Sequence, residues 1–292
     1  MPLPLPVAVT MRGVIDRCAL MTYRTPVESA ERFVPGGLRL RTKAGFAFWN
    51  VVVCHVHRMR PWFAPEKAGL SYHHVAYRLL VEGTRDDGER MSGLYFVRSD
   101  ADSSLIGLGG NAMSDFRFNP AVIDMTETDA RLTVTVRSRD SVGNADVTMR
   151  DASAGTLAHG SPFESLGEAR SFLKYTPLGV SPSGRATKLR LAEVFRDERA
   201  WREYPLTVER AFFAFFHNAG QKAVRLELAQ RIEPIEYRWR LGKSVRLAAE
   251  TGSVSEAMNA DEASGEGEPS RAMKRATDAS GGGEGTRSQR PA

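Results

Sequence analysis

The sequence predicts a β-dominated α+β fold, an antiparallel closed or nearly closed barrel with a few short helices. Three observations predict it: long runs of β-branched and aromatic residues, turn signals between those runs, and only short helical segments. The clearest run is FAFWNVVVCHVHRM, which follows a turn at Lys43-Ala44-Gly45. We expect about ten strands and about three short helices in one body.

Hairpin signals support the antiparallel arrangement. The strand-like segments SYHHVAYRLLVEG and ERMSGLYFVRS flank Arg85-Asp86-Asp87-Gly88, a turn sequence. A second hairpin, ARLTVTVRSR with ADVTMRD, is predicted around Val142-Gly143-Asn144. Near the end of the body KAVRLELAQRI alternates between apolar and polar residues and leads into IEPIEYRWRL. Short connections of this kind favour neighbouring strands that run in opposite directions.

Helix starts are marked at three places. Thr25-Pro26-Val27-Glu28 combines an N-cap residue, a proline at the first helical position and an early glutamate. Ser161-Pro162-Phe163-Glu164 has the same layout. A third helix is predicted after Asp100 or Asp102, running toward Met113, although its glycines weaken it.

The chain divides into a globular body and a tail. With 42% hydrophobic and 26% charged residues among 292, a packed body is expected, and we assign it to residues 1–249 as one domain. Residues 250–292 contain no aromatic residue and include the low-complexity run SGGGEGTRSQRPA. Such a segment buries too little apolar surface to offset the entropy of ordering, so we predict a disordered tail.

Charge and cysteine content bound the partners and the compartment. The tail holds eight acidic and five basic residues, so its net charge is −3. Because the net charge of the whole chain is +5, residues 1–249 carry a net charge of +8. Its basic residues are scattered without a run of four, so we expect no nucleic-acid partner. Cys18 and Cys54 lie in apolar segments and are predicted to be buried, reduced thiols. Without an apolar run of membrane-spanning length or a signal-like start, we expect a cytoplasmic protein without a membrane partner. The sequence gives no basis for an oligomeric state.

Three segments carry a family resemblance. They are MTYRTP with the following FVPGGLRL, then DADSSLIGLGGNAMSDFRFNP, and finally SPFESLGEARSFLKYTPLGVSPSGRATKLRLAEV. In order and spacing they resemble the acetoacetate decarboxylase superfamily, and most of all its uncharacterised YqjF-like branch. The resemblance extends over roughly residues 12–240 and implies the acetoacetate decarboxylase-like β-rich fold.

The resemblance also implies a pocket with altered chemistry. The position of the superfamily's Schiff-base lysine falls on Phe116, its cationic neighbour on Arg117, and two family glutamates near Asn50 and His74. A phenyl ring cannot attack a keto group, so Schiff-base decarboxylation is not expected. Lys174 is the one lysine considered as a substitute. We expect Arg117 to supply charge, Asn50 and His74 to hydrogen-bond a ligand, and Phe116 to form an apolar wall.

Two motifs have the residue types of a metal site and of a nucleotide-binding site. His55 and His57 share one strand face and could join His73 or His74 in a metal set, but no carboxylate follows closely, so we predict partly exposed histidines and no metal. The G-x-G-x-x-A pattern at 107–112 lacks the strand that should lead into it, so we predict close helix packing instead of nucleotide binding. No cofactor is expected.

Three functions follow as hypotheses. The first is binding of a small organic ligand, an anionic or keto compound. The second is a lysine-independent lyase or hydrolase that uses His74, the one expected pocket residue able to exchange protons near neutral pH. The third is a non-catalytic protein-interaction module that uses ERAFFAFFH (209–217), if its aromatic rings are exposed, and the charged tail. The alternation of SYHHVAYRLLVEG leaves open whether His74 faces the pocket, because the face with His73 is the more apolar one.

Overall fold

A computed structural model describes residues 9–113, 116–129, 131–174, 176–182 and 188–248. The predicted tail, 250–292, lies outside these residues. Within them, fourteen strands and four short α-helices confirm the predicted β-dominated class. The strands are β1 (Thr10–Pro26), β2 (Leu38–Leu40), β3 (Thr42–Lys43), β4 (Phe46–Pro61), β5 (Leu70–Thr84), β6 (Arg90–Ala101), β7 (Phe118–Thr128), β8 (Arg131–Ser138), β9 (Ala145–Asp151), β10 (Leu178–Pro182), β11 (Lys188–Arg196), β12 (Glu203–Phe213), β13 (Arg225–Ile232) and β14 (Ile235–Arg246). The helices are α1 (Val27–Ala30), α2 (Ser104–Met113), α3 (Leu166–Phe172) and α4 (Ala214–Asn218).

The strands pair into two closed rings that share one wall. Strands β1, β4, β5 and β6 are shared. Through β10, β11 and β14 they complete a ring of seven strands. Through β7, β8, β9, β12 and β13 they complete a ring of nine. The long strand β1 makes this possible, because its first half pairs with β14 and its second half with β13. Most pairings are antiparallel, as predicted, while β6 pairs in parallel with both β7 and β10.

The shared strands are buried on both faces. On one face Met21, Val53 and Tyr77 belong to the packed core inside the nine-strand ring. On the other face Cys54 and His74 point into the seven-strand ring. Because side chains alternate along a strand, each shared strand lines both interiors. This explains why FAFWNVVVCHVHRM reads as a nearly continuous apolar run instead of an alternating one.

Aromatic rings fill the nine-strand ring. Trp49 is fully buried and packs edge-on against Phe33, Phe215 and Phe216 with centroid distances of 5.4–5.6 Å. Its indole N–H donates to Gln221 Oε1 at 3.0 Å, which satisfies the one polar group of the side chain. Burial of each ring contributes about 1.5–3 kcal/mol. The segment ERAFFAFFH therefore contributes three of its four phenylalanines to the core: it ends β12 and forms most of α4.

The helix starts differ in detail from those predicted. No side-chain hydrogen bond caps α1, because Thr25 Oγ1 donates to the Lys222 carbonyl. The cap of α3 is Ser165, whose Oγ accepts from the Glu168 N–H at 3.1 Å, so the helix begins four residues after the predicted cap. The N-cap of α2 is Ser103, whose Oγ accepts from the Ile106 N–H. Asp100, one of the two predicted caps, lies in β6 instead. In the described segments every helix is too short or too polar to span a membrane.

Candidate functional site

A cavity of about 140 Å³ lies inside the seven-strand ring. Each strand of that ring contributes at least one residue to its wall, although β10 contributes only Gly179, and residues beyond these strands such as Phe116 and Trp201 complete it. The wall is mainly aliphatic and aromatic. Its polar and aromatic members are Cys18, Cys54, Tyr72, His74, Arg78, Phe96, Phe116, Phe118, Arg196, Trp201, Tyr237 and Trp239.

His74 faces this cavity, as the pocket hypothesis required. It lies directly opposite Cys54 on the neighbouring strand, and its ring is 5.3 Å from that of Phe118. Its Nε2 is buried and finds no hydrogen-bond partner among the described residues. Desolvation, together with the nearby Arg78 guanidinium, lowers the pKa of His74 to about 3. The imidazole is therefore neutral at physiological pH.

Asn50 lies behind the cavity wall and orients a cation. Its side-chain Oδ1 accepts a hydrogen bond from Arg78 Nη2, and its Nδ2 donates to Thr22 Oγ1 at 3.5 Å. Asn50 is buried but does not line the cavity, so it is placed to orient the cavity-lining Arg78 and not to contact the interior of the cavity directly. The Arg78 guanidinium lies 5.4 Å from the centroid of the Phe96 ring, which places the charge against the aromatic wall.

Phe116 and Arg117 point in opposite directions. Phe116 is buried in the cavity wall and packs against Phe96 at 4.6 Å between ring centroids. Arg117 is exposed and does not line the cavity, so the expectation that it supplies the pocket's charge was wrong. The reason is local: Arg117 adopts a left-handed backbone conformation with φ of 50°, which turns the chain away before β7 begins.

The second cavity cation is Arg196, which sequence reasoning missed. Its side chain is 3% exposed, and its Nε donates to Glu198 Oε1 at 2.7 Å. The guanidinium also stacks 3.5 Å from the centroid of the Trp201 ring. The alternation of Ala192, Val194 and Arg196 along β11 was the available signal, because all three line the cavity.

Cys18 and Cys54 are free, buried thiols, as predicted. They lie directly opposite each other on β1 and β4, and both line the cavity. Burial raises the pKa of Cys54 to about 12 and raises the pKa of Cys18 as well. Both are therefore uncharged at neutral pH and contribute soft, weakly polar surface.

His55, His57 and His73 form a separate group whose side chains do not line the cavity. The rings of His55 and His73 are 4.7 Å apart, and the Nδ1 atoms form hydrogen bonds with Asp16 and Asp102 respectively, each at 2.7 Å. His74 is not part of this group. The described residues contain no cluster of three potential ligands arranged for a metal ion.

Two other motifs have structural roles. The glycine-rich segment belongs to α2, and a Cβ on Gly110 would lie 2.6 Å from the Phe118 ring. This contact favours the predicted close packing over nucleotide binding. Lys174 is exposed after α3 and does not line the cavity, so it is not placed to replace the missing amine.

Solved structures share this fold. An acetoacetate decarboxylase-like enzyme from Sphingomonas wittichii RW1 has a TM-score of 0.53 at 12% identity, over 84% of this chain and 95% of that chain. Acetoacetate decarboxylase from Legionella pneumophila has a TM-score of 0.51 at 12% identity, over 85% and 92%. The architecture is therefore acetoacetate decarboxylase-like.

The family assignment is equally direct. The model of DUF2071, described as an uncharacterized conserved protein, matches residues 14–177. The chain belongs to this family, which confirms the resemblance to the YqjF-like branch of the acetoacetate decarboxylase superfamily. No curated protein matches the sequence.

Proposed function

We propose that the cavity binds a small organic anion with an apolar body, such as a short carboxylic or keto acid. One observation carries the proposal: the described cavity wall contains two arginines, Arg78 and Arg196, and no carboxylate. Arg196 is also paired with Glu198, so the main positive charge available to a ligand is that of Arg78. In an otherwise apolar enclosure this charge favours an anion, because interactions between charges strengthen where water is excluded.

The cavity limits the size of the ligand. A dry cavity of about 150 Å³ accommodates benzene, and this cavity has a similar volume of about 140 Å³. Typical pockets for larger ligands are two or more times bigger, at about 300–1,000 Å³. We therefore assign a ligand of about ten non-hydrogen atoms or fewer.

The wall residues have distinct proposed roles. Arg78, held by Asn50, presents its guanidinium to the carboxylate of the ligand. His74 offers an unpartnered Nε2 for a hydrogen bond to a keto or carboxyl oxygen. Phe116, in the position of the superfamily's lysine, contacts the apolar part of the ligand. Among the described residues that line the cavity there is no lysine, which supports binding without a Schiff base.

The two alternatives have less support. With a pKa of about 3, His74 is a weak base and is not an imidazolium at neutral pH, so it has no acidic proton to transfer and acid–base catalysis by it contributes little. For the interaction module, Phe213, Phe215 and Phe216 are buried, and of the aromatic rings in 209–217 Phe212 alone is exposed. We expect the protein to act in the cytoplasm as a binding protein.

Thermal-shift and calorimetric titrations with benzoate, 2-oxobutanoate and acetoacetate test the proposal, with benzyl alcohol as the uncharged counterpart of benzoate. We expect the acids to raise Tm, since a ligand at 100 times its Kd stabilises the folded state by about 2.7 kcal/mol. Ala192→Leu places extra methyl groups in the cavity and should abolish the shift. Ala211→Leu, at an exposed position on β12, is the matched control.

Equal responses to benzoate and benzyl alcohol would contradict the role of the arginines. Binding that persists at full strength in a folded Ala192→Leu protein would show that the ligand lies elsewhere. Circular dichroism establishes whether that variant is folded, and Ala192→Val provides a smaller change if it is not.

A further inference from the structure

Three arginines form a row across neighbouring strands on the face opposite the cavity. Arg12 on β1 is directly paired with Arg60 on β4 and with Arg238 on β14. Directly paired residues in antiparallel strands project to the same side of the sheet. Arg238 lies between the cavity-lining residues Tyr237 and Trp239, so its side chain projects to the other face. We call these three residues the arginine row.

Such an arrangement is unfavourable for an isolated chain. Like charges directly opposite each other on paired strands destabilise a sheet, and here two such pairs share one residue. Alternation along the strands keeps all three side chains on one face, so the guanidiniums can move apart only through rotamer changes. A bound anion would be attracted to all three guanidiniums and would offset the repulsion between them.

The row is not neutralised by the described protein. Arg60 is buried, 8% exposed, and its guanidinium donates to two backbone carbonyls, those of Arg58 and Ala64, at 2.9 and 3.3 Å. Within the part of the chain that the structure describes, the side chains of Arg12 and Arg238 make no hydrogen bond or ion pair. Arg60 is therefore a buried cation held by uncharged groups, which is costly unless a counter-charge is supplied.

The nearby acidic side chains offset this charge only in part. Glu66 is paired with Arg58, and Asp197 Oδ1 accepts the Arg199 N–H at 2.9 Å. Asp197 and Glu236 line the same groove, and neither makes an ion pair with the arginine row within the described residues. The groove of about 310 Å³ therefore holds the three arginines of the row against two carboxylates, which leaves an excess of positive charge.

We propose that this groove binds a phosphoryl group, as free phosphate or as a phosphate monoester. Three guanidiniums approach from three adjacent strands, and a tetrahedral dianion offers several oxygens to them, whereas a carboxylate offers two. The groove volume exceeds that of a phosphate group alone, and Phe195, 40% exposed, lies on its border. An organic substituent on the phosphate therefore has room and an apolar surface to contact.

This site is distinct from the cavity, although Arg196 and Tyr237 border both. The arginine row itself projects from the opposite face and does not line the cavity, and its proposed ligand is a small polar dianion instead of an apolar acid. Ala192→Leu, which fills the cavity, should leave binding of phosphate to the groove unchanged.

Calorimetric titration at low ionic strength with inorganic phosphate and glycerol 3-phosphate tests the proposal, with glycerol as the uncharged probe. We expect saturable binding of both phosphates at one site and none of glycerol. Arg12→Gln and Arg238→Gln should each weaken binding about 10-fold or more, because each removes charge-assisted hydrogen bonds. Arg240→Gln is the matched control: it lies on the same strand, is exposed and is paired with Glu193.

A second readout keeps the test independent of folding defects. In phosphate-free buffer Arg12→Gln should raise Tm, since it removes two like-charge pairs, while the Tm gain on adding phosphate should disappear. Cosedimentation with vesicles of phosphatidic acid, compared with phosphatidylcholine, distinguishes a lipid headgroup from a free phosphate ester as the source. Equal weakening by Arg240→Gln, or unchanged phosphate binding in Arg12→Gln, would overturn the site.

Discussion

Arg24 and Glu227 form an ion pair that is almost completely withdrawn from water. Their side chains are 3% and 0% exposed, and Arg24 Nη1 donates to Glu227 Oε2. Arg24 also donates to the His159 carbonyl at 2.8 Å, while Ser161 Oγ donates to the second carboxylate oxygen of Glu227. The pair thereby joins β1, β13 and the segment before α3.

We expect Glu227→Gln to destabilise the protein by about 3–5 kcal/mol, because it leaves the buried Arg24 charge without a counter-ion. Urea denaturation measures the change. Glu193→Gln breaks the exposed pair with Arg240 and should cost less than about 1 kcal/mol. If the two variants lost similar amounts of unfolding free energy, burial of the Arg24–Glu227 pair would make no difference to its contribution to stability.

The pH dependence of stability should carry the signature of His74. Its pKa is lowered from 6.5 in the reference state to about 3 in the folded protein, so the unfolded chain binds the proton more tightly. Burial of the neutral His74 ring is therefore compatible with the full stability of the fold above pH 6.5, and the free energy of unfolding decreases as pH falls from there toward 3. The decrease is on the order of 4 kcal/mol across this range.

Denaturation curves between pH 7 and pH 4 check this expectation. His74→Leu should flatten the dependence, whereas His217→Gln, at an exposed histidine, should leave it unchanged. A direct measurement by NMR of an imidazole pKa near 6.5 for His74 would contradict it.

Phe116→Lys should restore a trappable amine. The ring of Phe116 lines the cavity, so a lysine there would be desolvated and close to two arginines, and both effects depress an amine pKa. We expect borohydride with a β-keto acid to give a covalent adduct on this variant, detected by mass spectrometry, and none on the unaltered chain.

Leu105→Lys, at an exposed position on α2, serves as the matched control and should not react. An adduct on the unaltered chain would show that another lysine acts as the nucleophile. Absence of an adduct on a folded Phe116→Lys protein would place position 116 out of reach of the ligand.

Strand composition and turn chemistry predicted most of the architecture. The predicted hairpin at Arg85-Asp86-Asp87-Gly88 is confirmed: Gly88 has φ of 85°, and its N–H donates to the Arg85 carbonyl. The number of strands was underestimated, since pieces as short as β3 leave no periodic pattern. The ends of helices were the least predictable, because competing caps such as Ser161 and Ser165 differ by their tertiary contacts.

The site was only partly predictable. Alternation alone could not orient His74, because β5 is buried on both faces and its more apolar face meets the filled core. The positive φ of Arg117 could not be predicted, because residues other than glycine rarely adopt this conformation. The cavity cations come from β5 and β11, far apart in the chain, and only the closed ring brings them together.

The wall common to both rings separates two kinds of change. In β4 the side chain of Val53 packs in the interior of the nine-strand ring, while those of its neighbours Val52 and Cys54 line the cavity. A substitution at a cavity-lining position can change the shape of the cavity, while the next residue along the strand stays unchanged and keeps the packed core intact. Homologous chains can therefore differ in the lining of the cavity while they keep the same two rings of strands.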